Sequence, residues 1–123
     1  MTLPEPTVQA TEYTACALPE DHPDYWAYSV RVRYHGDRQW AVGDMRGYFD
    51  VDGNKSYGPV WRDGSDEPRT DEEWREFEAV HDAWRAAHRF DLDTALAVAK
   101  RVAAARTVNG RSVADTLAPR RKR

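Results

Sequence analysis

Isoleucine is absent from this 123-residue chain, lysine occurs three times, and the single cysteine is Cys16. One cysteine excludes an intramolecular disulfide, a thiolate-rich zinc site and a Cys-x-x-Cys redox pair. Cys16 is expected to pack as a small buried residue. No window approaches the roughly 18 apolar residues of a membrane span, and Met1–Pro6 shows neither a basic n-region nor an apolar h-region. The expectation is a cytoplasmic protein with no membrane partner. The G-x-S-x-G elbow, the phosphate-cradling G-x-x-x-x-G-K, G-x-G-x-x-G and H-E-x-x-H are all missing, so no catalytic residue is assigned and no cofactor is expected.

The residues present belong to a globular domain: 41% hydrophobic and 32% charged, with a mean hydropathy of -0.85 that implies a thin core under a charged surface. Fifteen arginines stand against three lysines, the usage of a high-GC genome rather than a functional signal. The net charge of -3 is uneven. Arg120, Arg121, Lys122 and Arg123 hold four positive charges and leave residues 1–119 at -7. An acidic body argues against nucleic-acid binding over a broad face, which depends on neutralising phosphates.

Residues 1–9 read as a flexible arm, 10–118 as one α+β domain and 119–123 as a basic disordered tail. A first strand is expected near Thr11–Leu18, ended by Pro19–Pro23. From Tyr25 to Tyr34 apolar residues alternate strictly, with Trp26, Tyr28, Val30, Val32 and Tyr34 on one face and Ser29, Arg31 and Arg33 on the other. In the next strand, about Arg38–Asp44, the apolar residues Trp40 and Val42 are again even-numbered. A two-residue loop would turn them away from the first face, so an odd-length loop over His35–Arg38, or a bulge, is expected. A second hairpin follows, with Tyr48, Phe49 and Val51 before Asp52–Lys55 and Tyr57–Trp61 after it.

Thr70-Asp71-Glu72-Glu73 announces a helix by a capping box. Trp74, Phe77, His81, Trp84 and His88 then recur at three- and four-residue spacing, a stripe suited to covering the sheet. A second helix capped by Asp91 or Asp93 should bury Leu92, Ala95, Leu96, Ala99, Val102 and Ala103. Asn109-Gly110 either ends that helix or makes a tight hairpin; the cap is favoured, with a helical turn over Ser112–Leu117. The expected fold is thus α+β: an antiparallel meander of about four to five strands, followed by two amphipathic helices packed on one face, with Arg31 and Arg33 outside.

Several clusters carry candidate chemistry. Asp50, Asp52 and Asn54 alternate oxygen ligands as calcium loops do, but an EF-hand starting at Asp50 would need glycine at Lys55 and glutamate at Trp61, so a plain turn is preferred and no metal is assigned. Glu78 and His81 have a carboxylate-x-x-His spacing, but it has no second copy, and His81 and His88 lie about 10 Å apart along a helix, too far to share an ion. An enzyme reading assembles its site from His22, His35, Asp50, Asp52 or Cys16. Arg31, Arg33, His35, Arg46 and Arg62, with tail residues Arg120, Arg121, Lys122 and Arg123, form a candidate binding set, since arginines among aromatic rings on a sheet hold single-stranded nucleic acid. Pairing with acidic neighbours is the alternative. Asp63, Asp66, Glu67, Asp71, Glu72, Glu73 and Glu76 make an acidic cluster that could attract a basic partner.

The Trp-containing hairpin, the run His88-Arg89-Phe90-Asp91-Leu92-Asp93-Thr94-Ala95-Leu96 and Val108-Asn109-Gly110-Arg111 resemble short uncharacterised proteins of actinobacteria and their phages, over residues 25–113. The resemblance implies a genomic setting and no chemistry. The expected function is a small non-enzymatic binding or accessory protein of a high-GC bacterium, its phage or a mobile element, contacting another macromolecule through the sheet or the acidic helix, or associating with itself. A nucleic-acid binder is the runner-up, and a small enzyme the third reading.

Overall fold

Val30, Val32 and Val42 have no solvent exposure, and the fold is organised around them. The structure, a computed structural model, describes residues 2–62, 64 and 67–119. Five antiparallel strands follow one another in chain order: β1 (Glu12–Ala15), β2 (Val30–Tyr34), β3 (Trp40–Gly43), β4 (Tyr48–Phe49) and β5 (Lys55–Ser56). Two helices come next, α1 (Asp71–Ala87) and α2 (Leu92–Ala104), then a small hairpin of β6 (Thr107–Val108) and β7 (Arg111–Ser112), and a last turn of helix, α3 (Val113–Leu117). This is the expected α+β class with its sheet ahead of its helices. Among the described residues no helix is long and apolar enough to cross a membrane. The basic tail Arg120–Arg123, and Asp63 and Asp66 of the acidic cluster, lie outside the described residues.

The β2–β3 loop has the odd length that strand parity requires. Tyr34 pairs with Trp40 and Val32 with Val42, so the apolar residues of both strands share a face. The loop turns through Gly36, Asp37 and Arg38, all at positive φ, and is closed by the His35 amide donating to the Gln39 carbonyl at 2.8 Å. Beyond the short β4, Trp40 exchanges two backbone hydrogen bonds with Phe90, at 2.8 and 2.9 Å. That bridge ties the α1–α2 connection to the sheet.

Four details differ from the sequence expectation. The strand begins at Val30, not Tyr25, because Asp24–Ser29 coil into turns: the Tyr28 amide donates to the Asp24 and Tyr25 carbonyls, and the Ser29 hydroxyl to the Trp26 carbonyl. Backbone groups satisfied locally are not free for a ladder. Trp26 thereby leaves the core and is 67% exposed. Tyr57–Trp61 forms no strand; β5 stops at Ser56, whose hydroxyl exchanges hydrogen bonds with Gly58 instead. Asn109-Gly110 is a hairpin turn and not a helix cap, with φ of 52° and 77°, the left-handed pair that a tight two-residue turn requires. α3 follows it as expected, capped by Ser112.

The fourth difference concerns the cover of the sheet. Ala95, Val98, Ala99, Val102 and Ala103 of α2 are buried on Val30, Val32, Trp40, Val42 and Phe49, with Leu92 and Leu96 alongside. Alanines let the helix backbone approach the sheet closely, and each buried valine contributes about 1.5–3 kcal/mol. Trp74, Phe77 and Trp84 do not cover this face; α1 has no fully buried residue at all. Trp84 instead donates from Nε1 to the Ser56 hydroxyl at 2.8 Å and meets the Tyr48 ring edge-on at 5.5 Å. Tyr48 and Ser56 are in register with Gly43 and Arg31, so α1 touches the sheet on the side away from α2.

Candidate functional site

α1 is held at its two ends and open between them. At its start the Thr70 hydroxyl accepts from the Glu73 amide at 3.1 Å, while the Glu73 carboxylate accepts from the Thr70 and Arg69 amides at 3.2 and 2.8 Å. The Arg69 amide first, then that of Thr70 and the Arg62 and Arg69 charges, hold the Glu73 carboxyl below its ordinary value. Arg62 pairs with Glu73 and Glu76 and lies over the buried Trp61 ring at 4.2 Å. At the far end Trp84 stacks on His88 at 4.4 Å, and His88 is buried with Nδ1 2.7 Å from the Trp84 carbonyl. The ring is thus a satisfied structural histidine.

Between these anchors Trp74, Phe77 and His81 form a ladder of rings, edge-on at 5.8 Å and tilted at 6.1 Å. Trp74 is 49% exposed. The three rings and Glu78, Asp82 and Arg85 line a shallow groove of about 310 Å³. The helix carries six carboxylates and two arginines, a net charge of -4. Its apolar stripe is the one the spacing identified: half-buried at Phe77, His81 and Trp84, exposed at Trp74, and edged with acid.

The arginines singled out from the sequence fall in three places. Arg31 and Arg33 both reach Glu12 on β1, at 3.8 and 3.5 Å. Arg62 is committed to α1. Arg46 is exposed in the β3–β4 turn, and with Arg31 it lines a cleft that also holds Lys55 and Arg106. Burial, with Arg89 and Arg33 nearby, pushes the His35 imidazole below its ordinary value. Nothing in the local sequence groups Lys55 and Arg106 with Arg31 and Arg46, since the four come from two strands and two connections, and the alternation around Trp26 placed that residue in the core.

The remaining candidates do not converge. Asp50 Oδ1 accepts the Asp52 and Asn54 amides at 3.0 and 2.9 Å and builds the β4–β5 turn. Cys16 is half-buried, not buried, and its thiol donates to the Tyr25 carbonyl at 3.3 Å. The His22 Nδ1 accepts from the Asp24 amide. No hydrogen bond joins Cys16, His22 and His35 among the described residues, and no group of three or more His, Cys, Asp or Glu side chains is gathered there. Comparison with protein-family models, with curated proteins and with solved structures finds no match to this chain.

Proposed function

We propose that this chain is a non-enzymatic binding protein whose α1 face receives a basic amphipathic segment of a protein partner. One observation carries the reading: a 17-residue helix without a single buried residue presents Trp74, Phe77 and His81 as a connected aromatic ladder. Solvent-accessible aromatic clusters on a rigid element, here with Trp74 exposed and Phe77 and His81 half-buried, are the usual anchors of helix-in-groove recognition. Glu78 and Asp82 at the groove edge, within a helix of net charge -4, select a cationic partner and oppose a second copy of the same helix. The arginine-rich, lysine-poor usage supports an origin in a high-GC bacterium or its phage.

The test uses a leucine–lysine amphipathic peptide of about 14 residues, four helical turns, and a leucine–glutamate control. The expected result is salt-sensitive binding of the basic peptide alone, weakened at least about tenfold (1.4 kcal/mol) by Trp74→Ala with Phe77→Ala. Both side chains lie outside the core, so folding should survive. Equal binding of the acidic peptide, or full binding by the double variant, refutes the reading.

A further inference from the structure

At the end of the sheet where β2 begins and β3 stops, the β3–β4 turn, β5 and the β6–β7 hairpin enclose a cleft of about 370 Å³. Arg31, Arg46, Lys55 and Arg106 line it, against the single carboxylate of Asp44. The lining side chains alone, four cations and one anion, sum to +3 on a chain whose net charge is -3, and of the four Arg31 also meets Glu12 outside the cleft at 3.8 Å. The Asp44 side chain is 6% exposed and fully used: Oδ2 accepts Lys55 Nζ at 2.6 Å and Arg106 Nη1 at 3.0 Å, and Oδ1 accepts the Arg46 and Gly47 amides at 2.8 and 2.9 Å. It fixes the positions of Lys55 and Arg106 without exhausting them, because an ammonium has three donors and a guanidinium five. Arg106 Nε is buried and has no hydrogen-bond partner among the described residues. No described residue pairs with the Arg46 guanidinium. On the cleft rim stands Trp26, largely exposed and braced edge-on by Tyr25 at 5.1 Å. Thr107 and Asn109 add polar groups from the hairpin.

We propose that this cleft binds a nucleotide phosphate, with the phosphate among Arg31, Arg46 and Arg106 and the base against Trp26. Preplaced guanidinium groups are the preferred partners of phosphate oxygens, and an indole beside them supplies a stacking surface for any base. The volume suits one nucleotide rather than a length of strand. The acidic remainder of the chain disfavours contacts along a longer backbone. The site is separate from the α1 groove, and neither reading depends on the other.

Calorimetric titration of the full chain with a nucleoside monophosphate, the matching nucleoside, inorganic phosphate and a short oligothymidylate tests this. The monophosphate should bind, the nucleoside should not, and inorganic phosphate should bind at least about tenfold more weakly. Arg31→Ala with Arg46→Ala should abolish binding. Trp26→Ala should reduce nucleotide affinity but leave phosphate affinity unchanged, whereas Trp26→Phe should retain both. Oligothymidylate binding tighter than the monophosphate, and lost in the same variants, identifies a strand as the source of the phosphate; weaker binding identifies a free nucleotide. No binding of any phosphate compound up to about 10 mM overturns the proposal. Binding that is indifferent to the arginine substitutions, or equal for the nucleoside, does so as well.

Discussion

Replacing Asp44 by asparagine isolates one charge in an otherwise unchanged network. Asparagine keeps an oxygen for the Arg46 and Gly47 amides, so the β3–β4 turn is preserved, but an amide nitrogen replaces the oxygen that holds Lys55 and Arg106. Burial alone would raise the Asp44 carboxyl. The Lys55 ammonium and the two turn amides outweigh it and hold the group at about 2, against an ordinary 3.8. At 1.36 kcal/mol per unit the charged form contributes about 2 kcal/mol to stability at neutral pH. Because the folded value is depressed, that contribution is complete above the unfolded value and is lost as pH falls through the folded one. By linkage about half remains near pH 3. Urea unfolding of Asp44→Asn should therefore show a loss of about 2 kcal/mol at pH 7, unchanged near pH 5 and roughly halved near pH 3. A melting temperature lower by roughly 6–10 °C should accompany it at pH 7. A deficit that stays flat from neutral pH to pH 3, or one below about 0.5 kcal/mol at pH 7, would refute the assignment of Asp44 as an electrostatic keystone.

The other predictions concern the elements that position the two sites. Thr70→Ala removes the acceptor of the capping box and should cost about 1 kcal/mol; since α1 is open above its first turn, the loss should appear as faster amide exchange at Glu73, by about fivefold, and not as global unfolding. Gly43→Ala would bring a Cβ within 2.7 Å of the Gly47 carbonyl oxygen, and backbone cannot yield as a side chain does, so a loss of about 2 kcal/mol in urea unfolding is expected; wild-type stability would show that the β3–β4 turn is looser than described. Ala99→Leu, at a position with no exposure between α2 and the sheet, should cost about 1–3 kcal/mol by overpacking, while a stable variant would place α2 farther from the strands.

Much of this protein is written in local sequence. The even-numbered apolar residues of β2 and β3 dictated an odd-length loop, because a strand's faces alternate every residue and only one register unites Val32 with Val42. Thr70 to Glu73 marked the start of α1, and Asp91, one of the two caps the sequence offered for α2, is the one that accepts from Thr94, since a cap is a bond between residues three apart. Tertiary structure decided what spacing cannot express. An amphipathic stripe states that a helix has an apolar side, not what covers it. The alanine-lined α2 fits closely against the valines of the sheet, whereas of the larger α1 rings Trp84 meets the other face, Phe77 stays half-buried and Trp74 is left exposed. Local turns removed Trp26 from the strand that its alternation suggested. The cationic cleft is the furthest from the sequence: Arg31, Arg46, Lys55 and Arg106 span 75 positions and meet only because the meander, α2 and the last hairpin bring their ends to one edge. Electrostatic potential depends on distance in space, and folding alone sets that distance.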